Sequence, residues 1–203
     1  MADCVHSRYK SLHPEARIVH RLDLETSGVM LLALNPDCHR DLNNLFRERK
    51  VSKTYQAWVE GEMAEENGSV DLPLIKDWPN RPKQKVDFEQ GKPSLTHWRC
   101  LRHVEGVSEV VLTPVTGRSH QLRVHMMEIG HPILGDPLYA PPGVQQKADR
   151  MQLHALTISF PHPASGNEVT ITAPSPLIGY HGRSSLVAQG SASTGQTGRA
   201  TLV

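Results

Sequence analysis

Val29 to Leu34 (VMLLAL) is a short, unbroken apolar run closed by Asn35-Pro36. A run of that length with such an ending predicts a buried strand. Asn35 or Asp37 can then cap a helix through Arg49, in which Leu42, Leu45, Phe46 and Arg49 recur at i, i+3, i+4 and i+7. Its apolar stripe would pack on the sheet and leave Arg40, Arg47 and Lys50 in solvent. Thr54 to Val59 changes to a period of two, with Tyr55, Ala57 and Val59 on one face and Thr54, Gln56 and Trp58 on the other. Gly61 ends that strand.

Asp77-Trp78-Pro79-Asn80-Arg81-Pro82 breaks any regular ladder. With the cations that follow, it predicts an exposed basic loop running to Lys85. Leu95–Arg102 and Val107–Leu112 predict two strands joined at Val104-Glu105-Gly106 as a hairpin. Ser119 is then placed to cap a helix with the stripe Leu122, Met126 and Ile129, and Gly130 sits where a C′ glycine belongs. Gln152–Phe160 and Glu168–Ala173 form a last pair of strands around the turn Pro161–Asn167. The sum is an α+β chain with a mostly antiparallel mixed sheet, flanking helices and loops. Residues 1–176 are expected to form one catalytic domain. Residues 177–203, rich in Ser, Gly, Thr and Ala, predict a disordered tail, since they cannot bury enough surface to offset their ordering entropy.

The 203 residues carry 22 Lys+Arg against 21 Asp+Glu, a near-neutral balance that argues mildly against nucleic-acid binding unless charge is locally patterned. Cys4, Cys38 and Cys100 are scattered, which suits a reducing compartment. No apolar run approaches the roughly 18 residues of a membrane span, and Met1–Lys10 lacks a signal-peptide core. The expectation is a soluble cytoplasmic protein with no membrane association.

Three segments concentrate reactive residue types. His20-Arg21-Leu22-Asp23-Leu24-Glu25-Thr26-Ser27-Gly28 precedes the apolar run, and by itself it reads as a turn or cap. Lys53-Thr54-Tyr55-Gln56-Ala57 places a tyrosine on a strand, where a core role is the ordinary one. In Gly117-Arg118-Ser119-His120-Gln121-Leu122-Arg123-Val124-His125, helical spacing puts His120, Arg123 and Met127 on a face distinct from the Leu122 stripe. A solvated surface cation is the bland reading of Arg123. His120 and His125 are five apart, and no HExxH, phosphate-binding loop or dinucleotide fingerprint occurs, so neither metal nor cofactor is implied.

Together the three segments resemble the RluA-type RNA pseudouridine synthases. HRLDLETSG is similar to that family's active-site motif, KTYQA to its strand-tyrosine motif, and GRSHQLRVHM with GHPILGDPLYA to its third motif and the segment after it. The resemblance implies the pseudouridine synthase fold and an isomerase of the intramolecular-transferase type. Such an enzyme breaks the N1–C1′ bond of a uridine, turns the uracil and joins C5 to C1′. It implies Asp23 as nucleophile or base, Arg123 as its cationic partner, and Tyr55 stacked on the uracil and active in deprotonation at C5. Arg21 would fill the gap left by the flipped nucleotide. Arg118 and His120 are expected to touch RNA. Asp77–Val86 (DWPNRPKQKV) resembles the loop of the dual-specificity branch, which modifies a tRNA anticodon loop and large-subunit ribosomal RNA, so Arg81, Lys83 and Lys85 are expected on phosphates. No protein partner is evident, and a monomer is expected.

The resemblance departs in one place. Only 19 residues precede His20, without the NKPxG-type motif and strands of the family, so the catalytic domain is expected to be N-terminally truncated. A non-catalytic RNA-binding remnant is the alternative from another class. A carboxylate-pair hydrolase would need a second acid such as Glu25.

Overall fold

The computed structural model describes residues 5–177. In chain order these form α1 (Val5–Lys10), β1 (Arg17–Ile18), β2 (Ser27–Gly28), β3 (Leu32–Ala33), α2 (Pro36–Arg47), β4 (Ser52–Glu60), β5 (Asn67–Asp71), β6 (Leu74–Lys76) and β7 (Gln84–Val86). They continue with β8 (Leu95–Val104), β9 (Val107–Pro114), α3 (Gln121–Glu128), α4 (Pro142–Gln145), β10 (Leu153–Pro161) and β11 (Glu168–Thr172). Among the described residues no helix is long and apolar enough to cross a membrane.

The main sheet has seven strands in the order β11-β10-β4-β9-β8-β5, with β2 added parallel to β10 and every other pairing antiparallel. The alternation expected on β4 holds. Ala57 and Val59 pack into a core with Leu122 and Met126 of α3, and Trp58 is buried on the opposite face against Leu134 and Val144. The β8–β9 hairpin turns at Glu105 and Gly106, both at positive φ (50° and 75°), as a tight primed hairpin turn requires. A third cluster seats Leu42 of α2 on Ile158 and Phe160 of β10.

Several local expectations change. The apolar run Val29–Leu34 contributes only the two-residue β3; Leu31 and Ala33 reach the core, whereas Leu34 is exposed. Asn35 caps α2, accepting a hydrogen bond from the Cys38 N–H at 2.8 Å. That helix stops at Arg47 rather than Arg49, because Arg49 takes the left-handed conformation (φ 57°). The Arg49 N–H then bonds to Phe46 O and the Lys50 N–H to Leu45 O, which is a Schellman ending. In α3 the cap residue is His120, not Ser119, with φ 55° and no side-chain capping bond. Gly130, at φ 85°, ends that helix as expected. The basic loop is mostly the turn of a small β6–β7 hairpin, so Lys85 lies on a strand. Leu177 is 5% exposed and packs with Trp58 and Leu134, so the core includes the first residue of the expected tail. Residues 178–203, where the rest of that tail falls, lie outside the described residues.

Candidate active site

The HRLD turn is held from both ends. His20 Nε2 accepts the Leu31 N–H at 2.9 Å, and its ring stacks on Phe46 with centroids 5.0 Å apart. Burial, helped by the nearby Lys53, lowers the His20 pKa to about 4, as suits an imidazole that accepts a backbone N–H. At the other end Gly28, at φ 119°, lies against β10; a Cβ there would sit 2.2 Å from the Ala155 carbonyl oxygen. Only glycine fits both the angle and the contact. Ser27 adds hydrogen bonds to His154 Nδ1 (2.8 Å) and from Arg150 (2.7 Å). Between these anchors the Thr26 N–H closes a turn on the Asp23 carbonyl at 3.0 Å.

The sheet register carries this placement across to Tyr55. Gly28 pairs with Ala155, Ala155 with Tyr55, and Tyr55 with Leu112, so four strands put these residues on one row. Tyr55 is half-buried, and burial together with the nearby Asp23 charge pushes its hydroxyl up to about pKa 12. It is therefore a neutral phenol at physiological pH.

Arg123 comes from α3, with 4% of its side chain exposed. It donates to Asp23 Oδ2 at 3.3 Å and, through Nε and Nη2, to both oxygens of Asp136 at 2.7 Å each. Asp136 also accepts the N–H groups of Leu138 (2.8 Å) and Tyr139 (3.1 Å). Burial opposes the Arg123 charge, but Asp136 and Asp23 outweigh it and raise the guanidinium pKa. The bland reading of Arg123 as a solvated surface cation is thus wrong: it is a buried cation shared between two carboxylates.

Asp23, Tyr55 and Arg123 line a cleft of about 550 Å³ with Arg21, Lys53, Arg118, His120 and Leu153 among its walls. Among the described residues, six cations (Arg21, Arg47, Arg49, Lys53, Arg118 and Arg123) line it against a single carboxylate, Asp23. That asymmetry resolves the near-neutral composition, because the basic charge is gathered where an anionic polymer would lie. Glu25, the second acid a carboxylate-pair hydrolase would need, is exposed and outside the lining.

The other expected RNA contacts divide. Arg118 lines the cleft, whereas Arg81, Lys83 and Lys85 sit on the β6–β7 hairpin outside it. That hairpin packs on the far side of α3 through Leu74, Val86, Val124 and Tyr139. His120 does not share a helical face with Arg123, since it precedes the helix; its Nε2 lies 4.0 Å from Asp23 Oδ1.

Sequence reasoning missed three residues. Asp136 lay inside the recognised GDPLYA string, with no signal that it faces Arg123. Tyr139 packs its ring 5.0 Å from the Arg123 guanidinium. Gln121 is buried; its Oε1 accepts Thr116 Oγ1 (2.8 Å) and the Arg118 N–H (3.0 Å), while its Nε2 donates to Leu95 O (2.9 Å). It thereby fixes the wall formed by residues 116–118.

Comparison with known proteins decides the family. The sequence pattern described as RNA pseudouridylate synthase matches residues 4–128. The chain belongs to that family. It is 50% identical over 173 residues to the dual-specificity RNA pseudouridine synthase RluA of Escherichia coli K12, covering 85% of this chain and 79% of the relative. It is 51% identical over 165 residues to RluA of Yersinia pestis, covering 81% and 80%. Among solved structures, human RNA pseudouridylate synthase domain containing 1 is similar at a TM-score of 0.76 and 32% identity, over 85% of this chain and 74% of that one. The synthase is therefore an isomerase that acts on RNA, and its mostly antiparallel mixed sheet is the pseudouridine synthase fold.

Proposed function

We propose that Asp23 carries the isomerisation, with Arg123 and Tyr55 as its partners, and that the substrates are a uridine in a tRNA anticodon stem-loop and one in large-subunit ribosomal RNA. The observation that carries the catalytic reading is the 3.3 Å approach of the buried Arg123 to Asp23 at the floor of a cationic cleft. Arg123 orients the carboxylate and sets a buried positive charge against it in a partly enclosed site.

A stacked uridine is out of reach of Asp23, so it must be flipped, at a cost on the order of a few kcal/mol. Arg21, exposed at the cleft, is placed to fill the vacated stack with its guanidinium plane. The Tyr55 ring lies against the uracil. Asp23 promotes cleavage of N1–C1′, the base turns, C5 joins C1′, and the C5 proton leaves as N1 gains one. With its pKa near 12, the Tyr55 phenol matches a role as a hydrogen-bonding or proton-relaying group at C5 rather than a standing phenolate. Arg118 and the hairpin residues Arg81, Lys83 and Lys85 hold the phosphates, and His120 sits inside the cleft against Asp23.

The substrate pair rests on the 50% identity to the dual-specificity synthase and on the DWPNRPKQKV hairpin. The enzyme acts as a monomer in the cytoplasm, the compartment of both RNAs. Tritium release from 5-tritiated uridine should occur with both an anticodon stem-loop and a ribosomal RNA fragment. Release from neither, by folded protein, would refute the substrate assignment.

A further inference from the structure

Tyr139 joins three parts of the molecule. Its hydroxyl oxygen lies 2.7 Å from the Gln84 backbone nitrogen on β7 and 2.6 Å from His120 Nδ1. The opposite nitrogen of that imidazole, Nε2, is 4.0 Å from Asp23 Oδ1. A backbone N–H can only donate, so the phenol oxygen accepts from Gln84. The phenol proton then needs an acceptor, because Tyr139 is buried, and His120 Nδ1 is the acceptor in reach. An imidazole that accepts at Nδ1 carries its proton at Nε2, the atom facing Asp23. The opposite tautomer would strand the phenol proton and aim a lone pair at the carboxylate.

We propose that Tyr139 is a positioning residue: its hydroxyl holds His120 as the neutral Nε2–H tautomer, so that an N–H donor faces Asp23, and fastens this arrangement to the basic hairpin at Gln84. The proposal rests on Asp23 being the catalytic carboxylate. The groups that face His120 are Asp23, Arg123, Asp136, Arg21 and Tyr139. Burial is the largest influence and lowers its pKa; Asp23 and Asp136 pull it up, Arg123 and Arg21 push it down, and the net direction is down. A neutral donor at Oδ1 polarises the carboxylate without neutralising it, whereas an imidazolium would set a second positive charge beside Arg123, which holds Oδ2. His120 is held at φ 55°, a conformation uncommon for a residue with a Cβ. The tie to Gln84 supplies a physical reason for that backbone to persist.

The test is the protonation pattern of His120 in nitrogen-15 histidine-labelled protein, its signal assigned by loss in His120→Gln. At pH 7 the wild type should show Nε2 protonated and Nδ1 bare. Tyr139→Phe should mix the tautomers and lower kcat about tenfold, the worth of one hydrogen bond, with the KM for RNA within about twofold. The acid limb of its kcat profile should move to higher pH, because His120 is then protonated more readily. A wild-type signal with Nδ1 protonated, or an imidazolium at pH 7, overturns the proposal. So does Tyr139→Phe turning over at the wild-type rate, or slower with an unchanged pH profile. The tautomer is read without catalysis, so failure of the Asp23 assignment in a turnover assay would be separately visible.

Discussion

Asp136 holds Arg123 by two hydrogen bonds of 2.7 Å, with 1% and 4% of the two side chains exposed. The guanidinium is thus oriented before RNA arrives, and the 3.3 Å bond to Asp23 is the one left free to tighten. Asp136→Ala should destabilise the synthase by about 3–5 kcal/mol, the cost of stranding a buried charge. Asp136→Asn keeps an acceptor for the Leu138 and Tyr139 N–H groups, so it should fold yet lose kcat more than KM. Urea denaturation and single-turnover assays of both variants check this.

Gly28 meets the Ala155 carbonyl where any Cβ would intrude to 2.2 Å, at φ 119°. Gly28→Ala should break the β2–β10 pairing, release the Asp23 turn and cost more than about 4 kcal/mol. Gly143, in α4 with nothing within 4 Å of a built Cβ, is the control. Gly143→Ala should leave the melting temperature unchanged or slightly raised.

How much of this was legible in the sequence depends on range. The alternation on Tyr55-Ala57-Val59, the Glu105-Gly106 turn and the Gly130 helix ending are settled within a few residues and stand in the structure as the sequence predicts, while the cap of α2, open between Asn35 and Asp37 in the sequence, falls to Asn35. Val29–Leu34 misled because an apolar run reports burial without saying that the chain pairs for only two residues. His120 was misplaced by one turn boundary, since helical spacing says nothing about a cap residue at positive φ. The motifs pointed to Asp23, Tyr55 and Arg123, and the structure brings these into one cleft. Asp136 and Tyr139 escaped because their partners arise only when the segment after α3 folds back onto it.

His20 makes stability depend on pH. Its pKa is about 4 in the fold against 6.5 when unfolded, so between those values the unfolded chain binds the extra proton. Its contribution is present in full above about pH 6.5 and is lost as pH falls toward 4. His120 and His125, also lowered mainly by burial, add to the trend. His20→Gln should flatten the dependence by up to one proton, about 1.4 kcal/mol per pH unit at its steepest. Denaturation curves from pH 4 to 7 on both proteins measure the difference.

Arg49 ends α2 at φ 57° and lines the cationic cleft. Arg49→Gly relieves the left-handed strain and loosens the unfolded chain, so stability should hold within about 1 kcal/mol. RNA affinity should nonetheless fall, and the slope of log affinity against log salt should shrink by about 0.7–0.9, one phosphate contact. An unchanged slope, measured by RNA titration at several salt concentrations, would place Arg49 off the RNA path.

The role proposed for Asp23, gripped by Arg123 in this cleft, is to perform the isomerisation. The most direct measurement is tritium release from 5-tritiated uridine in an anticodon stem-loop by wild type and Asp23→Asn, with RNA affinity measured in parallel. Release by the wild type, its abolition in Asp23→Asn and near-equal affinity are the predicted result. Undiminished release by Asp23→Asn would show that the isomerisation does not depend on this carboxylate.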